Sequence, residues 1–329
     1  MRRRDFITLL GGATVVCPLA ARAQPLAPMR RVGVLMMYPE NDPEGRLRAV
    51  AFQQGLEKLG WIVGRNLAID YRWGAGDVEW ARTVTAELLT VAPDVVVANS
   101  TTAARAAKLA SRTVPIVFIG VGDPVALGLV ASLSHPGGNM TGFTNVGPTV
   151  GPKWLDLLKE MAPRVTRVAV LFNPNNPGNV LLAKSVASVA KKFAVEVAEA
   201  PIREAAEIEG VITRLGREPG GGLILPPDPA TATHRKLIVE LAGRNRVPAI
   251  YSLRSFIVEG GLMSYGVNIP DLFRQAAVYV NRILRGDRPA DLAAQTPATF
   301  ELIINLKTAR ALGLTVPRTL RVAADEVIE

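Results

Sequence analysis

The chain is poor in the residues from which most hydrolases and metal proteins build their chemistry. Among 329 residues there is one cysteine, Cys17, and there are two histidines, His135 and His234, far apart in sequence. A His- or Cys-based metal site needs three or four ligands, so no metal is expected and both histidines read as surface or loop residues. Aromatics are only 5% of the chain. Ala, Val, Leu and Gly carry the apolar content, which suits βαβ layers better than an aromatic-rich β-sandwich. The nucleotide and nucleophile motifs are missing too. Gly147–Lys153 has the wrong spacing for a phosphate loop, and Gly120-Val121-Gly122 runs into Asp-Pro-Val, which breaks a dinucleotide fingerprint. No G-x-S-x-G elbow occurs. A Ser-His-Asp triad or a thiol nucleophile has little to work with. No catalytic residue and no cofactor are expected.

The basic excess is moderate. Lys and Arg exceed Asp and Glu by 38 − 29 = +9. The cations are mixed with acids along the whole chain, so a solvated surface is expected rather than a nucleic-acid face. Part of the excess belongs to residues 1–23. Arg2-Arg3-Arg4 precedes Asp5-Phe6, an apolar run follows from Ile7 to Ala21, and Ala21-Arg22-Ala23 offers small residues where a signal peptidase cuts. A charged start, a short apolar run and an A-x-A site describe an export signal, here with the R-R-x-F form of the twin-arginine type. The run falls short of the roughly 20 residues a membrane span needs. Cleavage after Ala23 and a periplasmic location are expected. That cut removes Cys17, and Val16 before it argues against lipidation. The core of a chain this long needs no disulfide.

What the chain has in quantity is alternating β and α pattern. Asp94–Asn145 carries it most plainly. Val95–Ala98 and Ile116–Val121 are short β-branched runs that stop at Asn99-Ser100-Thr101-Thr102 and Gly122-Asp123-Pro124, each expected to open a helix. Arg31–Met37 is an earlier strand of the same kind, and Asn66–Trp73 alternates. The pattern begins again at Pro152, with strands at Val168–Phe172, Val195–Ala198, Leu223–Leu225 and Pro248–Tyr251. Thr233–Asn245 reads as one helix, Asp271–Arg285 as a long one and Phe300–Ile304 as a late strand. No residue-level repeat links the halves. The fold class is α/β: two doubly wound parallel-sheet lobes joined by a multi-crossing hinge. Residues 24–145 with 267–296 form the expected first lobe, and 146–266 with 297–329 the second. Crossings are expected near Asn145, Gly266 and Pro297. A hinge of this kind makes a cleft that can close.

Open α/β sheets bind ligands outside the carboxyl ends of their strands. Ser100, Thr101 and Thr102 lie there, where hydroxyls and helix N–H groups could hold a carboxylate or simply cap the helix. Asp123 and Asp228 face the same choice between capping and meeting a ligand ammonium. One from each lobe would suit a zwitterion. Asn173 and Ser252 end strands and are candidates by position. Tyr38, Tyr251 and Tyr265 lie at or just beyond strand ends and could wall a pocket and stack on a planar ligand, or pack between lobes. Met37, beside Tyr38, reads equally as core.

Three stretches carry a resemblance: GDPVALGLVASLSHPGGNMTGFTN, LFNPNNPGN, and TFELIINLKTARALGLTVP with the final ADEVIE. Together they resemble the ABC-transporter substrate-binding proteins of the type I periplasmic-binding fold, in the group with the tryptophan-binding TrpX-like proteins. The resemblance spans nearly all of the chain after the leader. It implies a non-enzymatic receptor, expected as a monomer, that binds a small-molecule solute between two lobes and docks on a membrane permease. The solute it implies is an amino acid, aromatic in some similar proteins, or a related carboxylate. Carried over by motif position, the pocket would use Met37, Tyr38, Ser100, Thr101, Thr102, Asp123, Asn145, Asn173, Asp228, Tyr251, Ser252 and Tyr265. Two rival expectations stand beside it: an exported α/β enzyme using Asp123 or Asp228 as acid or base, and a sensory protein that reports to a membrane receptor.

Overall fold

Short β-branched runs bounded by turn residues become the strands of two sheets. The computed structural model describes residues 29–74, 77–147 and 149–329. The expected leader, residues 1–23, lies outside the described residues. The first sheet is built from β1 (Arg30–Met36), α1 (Pro43–Lys58), β2 (Leu67–Trp73), α2 (Val78–Thr90), β3 (Val95–Asn99), α3 (Thr101–Ala110), β4 (Ile116–Val121) and β5 (Met140–Thr144). Every pairing in it is parallel, and its order is β2-β1-β3-β4-β5. The central strands are buried along their length, as a parallel sheet covered on both faces requires.

The second layer system contains α4 (Val150–Met161), β6 (Arg167–Phe172), α5 (Pro177–Ser188), β7 (Glu196–Pro201), α6 (Ala205–Gly216), β8 (Gly221–Leu225), α7 (Pro229–Thr233), α8 (Arg235–Arg244), β9 (Ala249–Tyr251), α9 (Ser255–Val258) and β10 (Met263–Gly266). After α10 (Ile269–Leu284) the chain adds β11 (Glu301–Asn305), α11 (Leu306–Ala311), α12 (Arg318–Ala323) and β12 (Glu326–Ile328). The order is β12-β11-β10-β9-β8-β6-β7. The run β7-β6-β8-β9-β10 repeats the order of the first sheet. Each sheet therefore reverses its winding once, between β1 and β3 and between β6 and β8.

The chain passes between the sheets three times. The long helix α10 returns to the first sheet and packs on α1. A Cβ on Gly55 would stand 2.7 Å from that of Ala277, so only glycine permits this approach. Trp61 Nε1 donates to Asn281 Oδ1 at 3.0 Å across the same contact. The segment after α10 stays on the first sheet, with Gln295 N on Gly142 O at 2.8 Å and Thr144 N on Gln295 O at 2.8 Å. Among the described residues no helix is long and apolar enough to cross a membrane.

Three local expectations need correction. The second sheet is not wholly parallel, because β10 and β11 pair antiparallel. The third crossing enters at the carboxyl edge where β10 ends, so β11 must run back from that edge. Gly122-Asp123-Pro124 opens no helix. Asp123 Oδ1 accepts from Val125 N and Ala126 N, but the turn stops at Gly128, whose φ is +65°. Lys108 Nζ then takes the Gly128 and Leu129 carbonyls, so they cannot serve a continuing helix. The helix expected over Thr233–Asn245 starts earlier, at Pro229, and is split at His234 into α7 and α8. Pro229 at the first turn and Asp228 as its cap explain the earlier start.

Candidate functional site

The two winding reversals define where a ligand of this architecture binds, because the loops there diverge to opposite faces and leave a crevice. Tyr38 follows β1, while Asn99 and Ser100 end β3. Asn176 follows β6 and Asp228 follows β8. The lobes bring these loops face to face around a small gap of about 20 Å³, space for about one water. The first lobe lines it with Tyr38, Arg48, Asn99, Ser100, Gly120 and Asn145, and the second with Asn176, Pro227, Asp228, Pro229 and Leu253.

The first lobe stores strain at the rim. Ser100 has φ 95° and ψ 164°, a region essentially reserved for glycine. The other non-glycine residues with positive φ lie near +50°, the ordinary left-handed well. Such a conformation costs about 1–3 kcal/mol. A good N-cap returns roughly 0.5–2 kcal/mol, but here Ala103 N reaches Ser100 Oγ only at 3.4 Å, a weak bond. Capping does not offset the strain, so the position is held for another reason. Its neighbour Asn99 keeps its buried Oδ1 without a partner.

The second lobe holds a prebuilt carboxyl group. Asp228 is 3% exposed. Its Oδ2 accepts from Asn176 Nδ2 at 2.8 Å and Asn179 Nδ2 at 3.0 Å, and its Oδ1 from Ala230 N at 2.8 Å. Among the described residues it has no ion-pair partner. Burial pushes its carboxyl above the ordinary range, against the hydrogen bonds from Asn176 and Ala230. A buried carboxylate steadied only by neutral donors still lacks a countercharge, and the gap in front of it is where a cation would sit.

Arg48 is the buried cation of the first lobe, 3% exposed, with its guanidinium 4.4 Å from the Tyr38 ring centroid. Its Nη2 lies 3.4 Å from Glu44 Oε2, and its Nε has no partner. Burial pushes the Tyr38 phenol up to about 12, although Arg48 beside it acts in the other direction. Two contacts close the lobes over the gap. Arg235 Nη1 on α8 donates to Asp42 Oδ2 at the start of α1 at 2.8 Å. Gly178 on α5 faces Thr101 so closely that a Cβ there would stand 3.1 Å from the hydroxyl oxygen.

Of the residues expected from sequence, Tyr38, Ser100, Asn145 and Asp228 meet at the gap. Thr101 and Thr102 are buried in the first turn of α3, with Thr101 facing Gly178 rather than the gap. Asn173 turns its Oδ1 to Asn175 N at 2.9 Å, and its side chain also acts on the Asp228 carboxyl. Met37 is fully buried in the core. Asp123 is exposed and caps its own turn at the edge of a separate interlobe groove of about 380 Å³. Tyr251 stacks on Phe256 at 4.6 Å, Ser252 is buried behind it, and Tyr265 stacks on Phe300 at 5.3 Å. These follow β9 and β10, away from the winding reversal. Sequence reasoning missed Arg48, Asn99 and Asn176. The signal for Arg48 was present: it lies on the inward stripe of α1 with Gly45, Ala51, Phe52 and Leu56, where a charge is out of place.

Comparison with known proteins adds the following. The family model described as ABC transporter substrate binding protein matches residues 42–328. The tyrosine-binding protein of Clostridioides difficile strain R20291 is 28% identical over 263 residues, 80% of this chain and 75% of its own. A crystal structure of an ABC domain in complex with L-Trp from Streptococcus pneumoniae is 25% identical, covers 91% of this chain and 100% of its own, and superposes with a TM-score of 0.84. The ligand-free, open structure of a substrate binding protein with adhesive properties from Clostridium difficile is 26% identical, covers 91% and 99%, and reaches a TM-score of 0.66.

Proposed function

The chain belongs to the family of ABC transporter substrate binding proteins, and from that premise we propose that it is the periplasmic receptor of an importer, carrying an amino acid or related carboxylate to a membrane permease. It is a binding protein and not an enzyme, so Asp123 and Asp228 need no acid–base role. The family is typically extracytoplasmic. Export through the leader at residues 1–23 agrees with that location, and the receptor works as a monomer. Residues 24–145 with 267–296 move as one lobe, and 146–266 with 297–329 as the other.

One observation carries the choice of solute: a buried, cation-free Asp228 faces the strained Ser100 and the underpaired Arg48 across a gap between two hinged sheets. A solute with an ammonium for Asp228 and a carboxylate for the first lobe satisfies both sides. The curated relative is named for tyrosine and a solved relative holds L-Trp, which supports an amino acid as the solute. Calorimetric titration of the purified protein with the twenty L-amino acids and their deaminated acids tests this. Binding of at least one amino acid, with closure seen as a smaller radius of gyration in solution scattering, is the expected outcome. A flat titration across the whole set removes the reading.

A further inference from the structure

The aromatic solutes of the relatives raise a question of space. Tyr38 is one of three tyrosines that the sequence offers for stacking on a planar ligand, yet it is 1% exposed and its ring face is covered by the Arg48 guanidinium. Gly45 crowds it as well, since a Cβ there would stand 2.9 Å from that of Tyr38. The gap measures about 20 Å³, whereas a cavity that takes a single benzene ring is roughly 150 Å³. Pro227, Pro229 and Leu253, which form the opposite wall, are short side chains on the second lobe. Arg48 is the longest side chain lining the gap, and the one whose removal would free most room. Its charge is also incompletely answered. Glu44 sits 3.4 Å from one terminal nitrogen, and Nε is buried with no acceptor at all. A buried guanidinium N–H without an acceptor is costly until a ligand oxygen reaches it.

We propose that Arg48 sets which solute the cleft admits: it takes the solute's carboxylate and, by covering Tyr38, restricts the site to amino acids with short side chains and shuts aromatic ones out. This rests on the amino-acid reading of the gap. A short amino acid requires the lobes to stand slightly wider than they do here. A ring requires in addition that Arg48 leave Tyr38 and abandon Glu44.

The test is a calorimetric comparison of glycine, L-alanine and L-serine with L-tyrosine and L-tryptophan on wild type, Arg48→Ala and Arg48→Met, with thermal melting to confirm folding. Wild type is expected to bind at least one short amino acid tenfold or more tighter than either aromatic one. Arg48→Ala is expected to lose tenfold or more on the short ones and to gain tenfold or more on an aromatic one. Arg48→Met keeps the bulk without the charge, so it should lose the short solutes and gain nothing. If Arg48→Ala fails to fold, that loss in Arg48→Met decides the carboxylate role, and the wild-type preference decides the size role. Equal or tighter aromatic binding by wild type, or a folded Arg48→Ala that gains no aromatic affinity, overturns the assignment to Arg48 and leaves the receptor reading intact. Wild type that binds no amino acid of either kind overturns both.

Discussion

The two rims of the cleft are built on the same strand order but prepared for a solute in different ways. The second lobe fixes a charge: Asp228 is clamped by two asparagine side chains and a backbone N–H and is ready before anything arrives. The first lobe carries strain and unmet polar groups instead, in Ser100, Asn99 Oδ1 and Arg48 Nε. One rim is a rigid socket and the other is relieved only by a partner. Closure, in which the first lobe settles onto the second, then becomes favourable once a solute supplies what the first lobe lacks.

That contrast can be broken at its rigid side first. Replacing Asp228 by Ala is expected to cost about 3 kcal/mol or more of solute binding, because a fully desolvated charge partner is lost. That corresponds to a drop of roughly a hundredfold in calorimetric affinity. A loss below tenfold would place the solute's cation elsewhere. The lobe contact comes next. Arg235→Met removes the charged hydrogen bond to Asp42 across the lobes, worth about 1.5–3 kcal/mol, together with the Ala232 carbonyl contact and the Glu259 ion pair inside the second lobe. Affinity should fall about tenfold, chiefly through faster release in stopped-flow measurements.

The same Asp228 gives a pH signature in the solute-free protein. Burial raises its folded-state pKa, so above about pH 4 the folded chain retains a proton that the unfolded chain has released. Stability from this group is then highest in acid and falls as pH rises through the raised value. Asp228→Asn lacks that component, so its melting temperature relative to wild type should rise from pH 4 to pH 7. Ser100→Gly probes the strained side. It relieves strain, forfeits a poor cap and should stabilise the protein by about 1 kcal/mol, a few degrees in melting temperature. The smallest effect is expected at Gly178→Ala, where the added methyl would stand 3.1 Å from the Thr101 hydroxyl across the lobes and 3.2 Å from Asn176 Oδ1 within its own lobe. It should weaken binding by less than about 1 kcal/mol and lower the melting temperature only slightly.

The architecture was legible because apolar strand runs and turn residues are local signals. The Asp94–Asn145 stretch contains three of the five first-lobe strands and the loop with Ser100. Of the expected residues at the gap, Tyr38, Ser100 and Asp228 lie where sequence position and winding reversal coincide, and Asn145 lies just after β5. Tyr251, Ser252 and Tyr265 also lie at strand ends, and Leu253 directly after Ser252 lines the gap, so which side chain of a strand end reaches the crevice is a matter of long-range packing that no single segment encodes. Asp123 caps a short turn and lies at the edge of the neighbouring interlobe groove rather than at the gap. The antiparallel β11 likewise followed from the path of the third crossing rather than from the residues of the strand.

Trp154 adds one more property. Its indole is buried in α4 and its Nε1 donates to the Tyr265 carbonyl, at 2.7 Å, where the chain leaves the second sheet. The other three tryptophans, Trp61, Trp73 and Trp80, belong to the first lobe. Bending at that crossing pulls on the indole directly, so the protein carries its own optical gauge of lobe movement, readable in its ultraviolet emission without any dye.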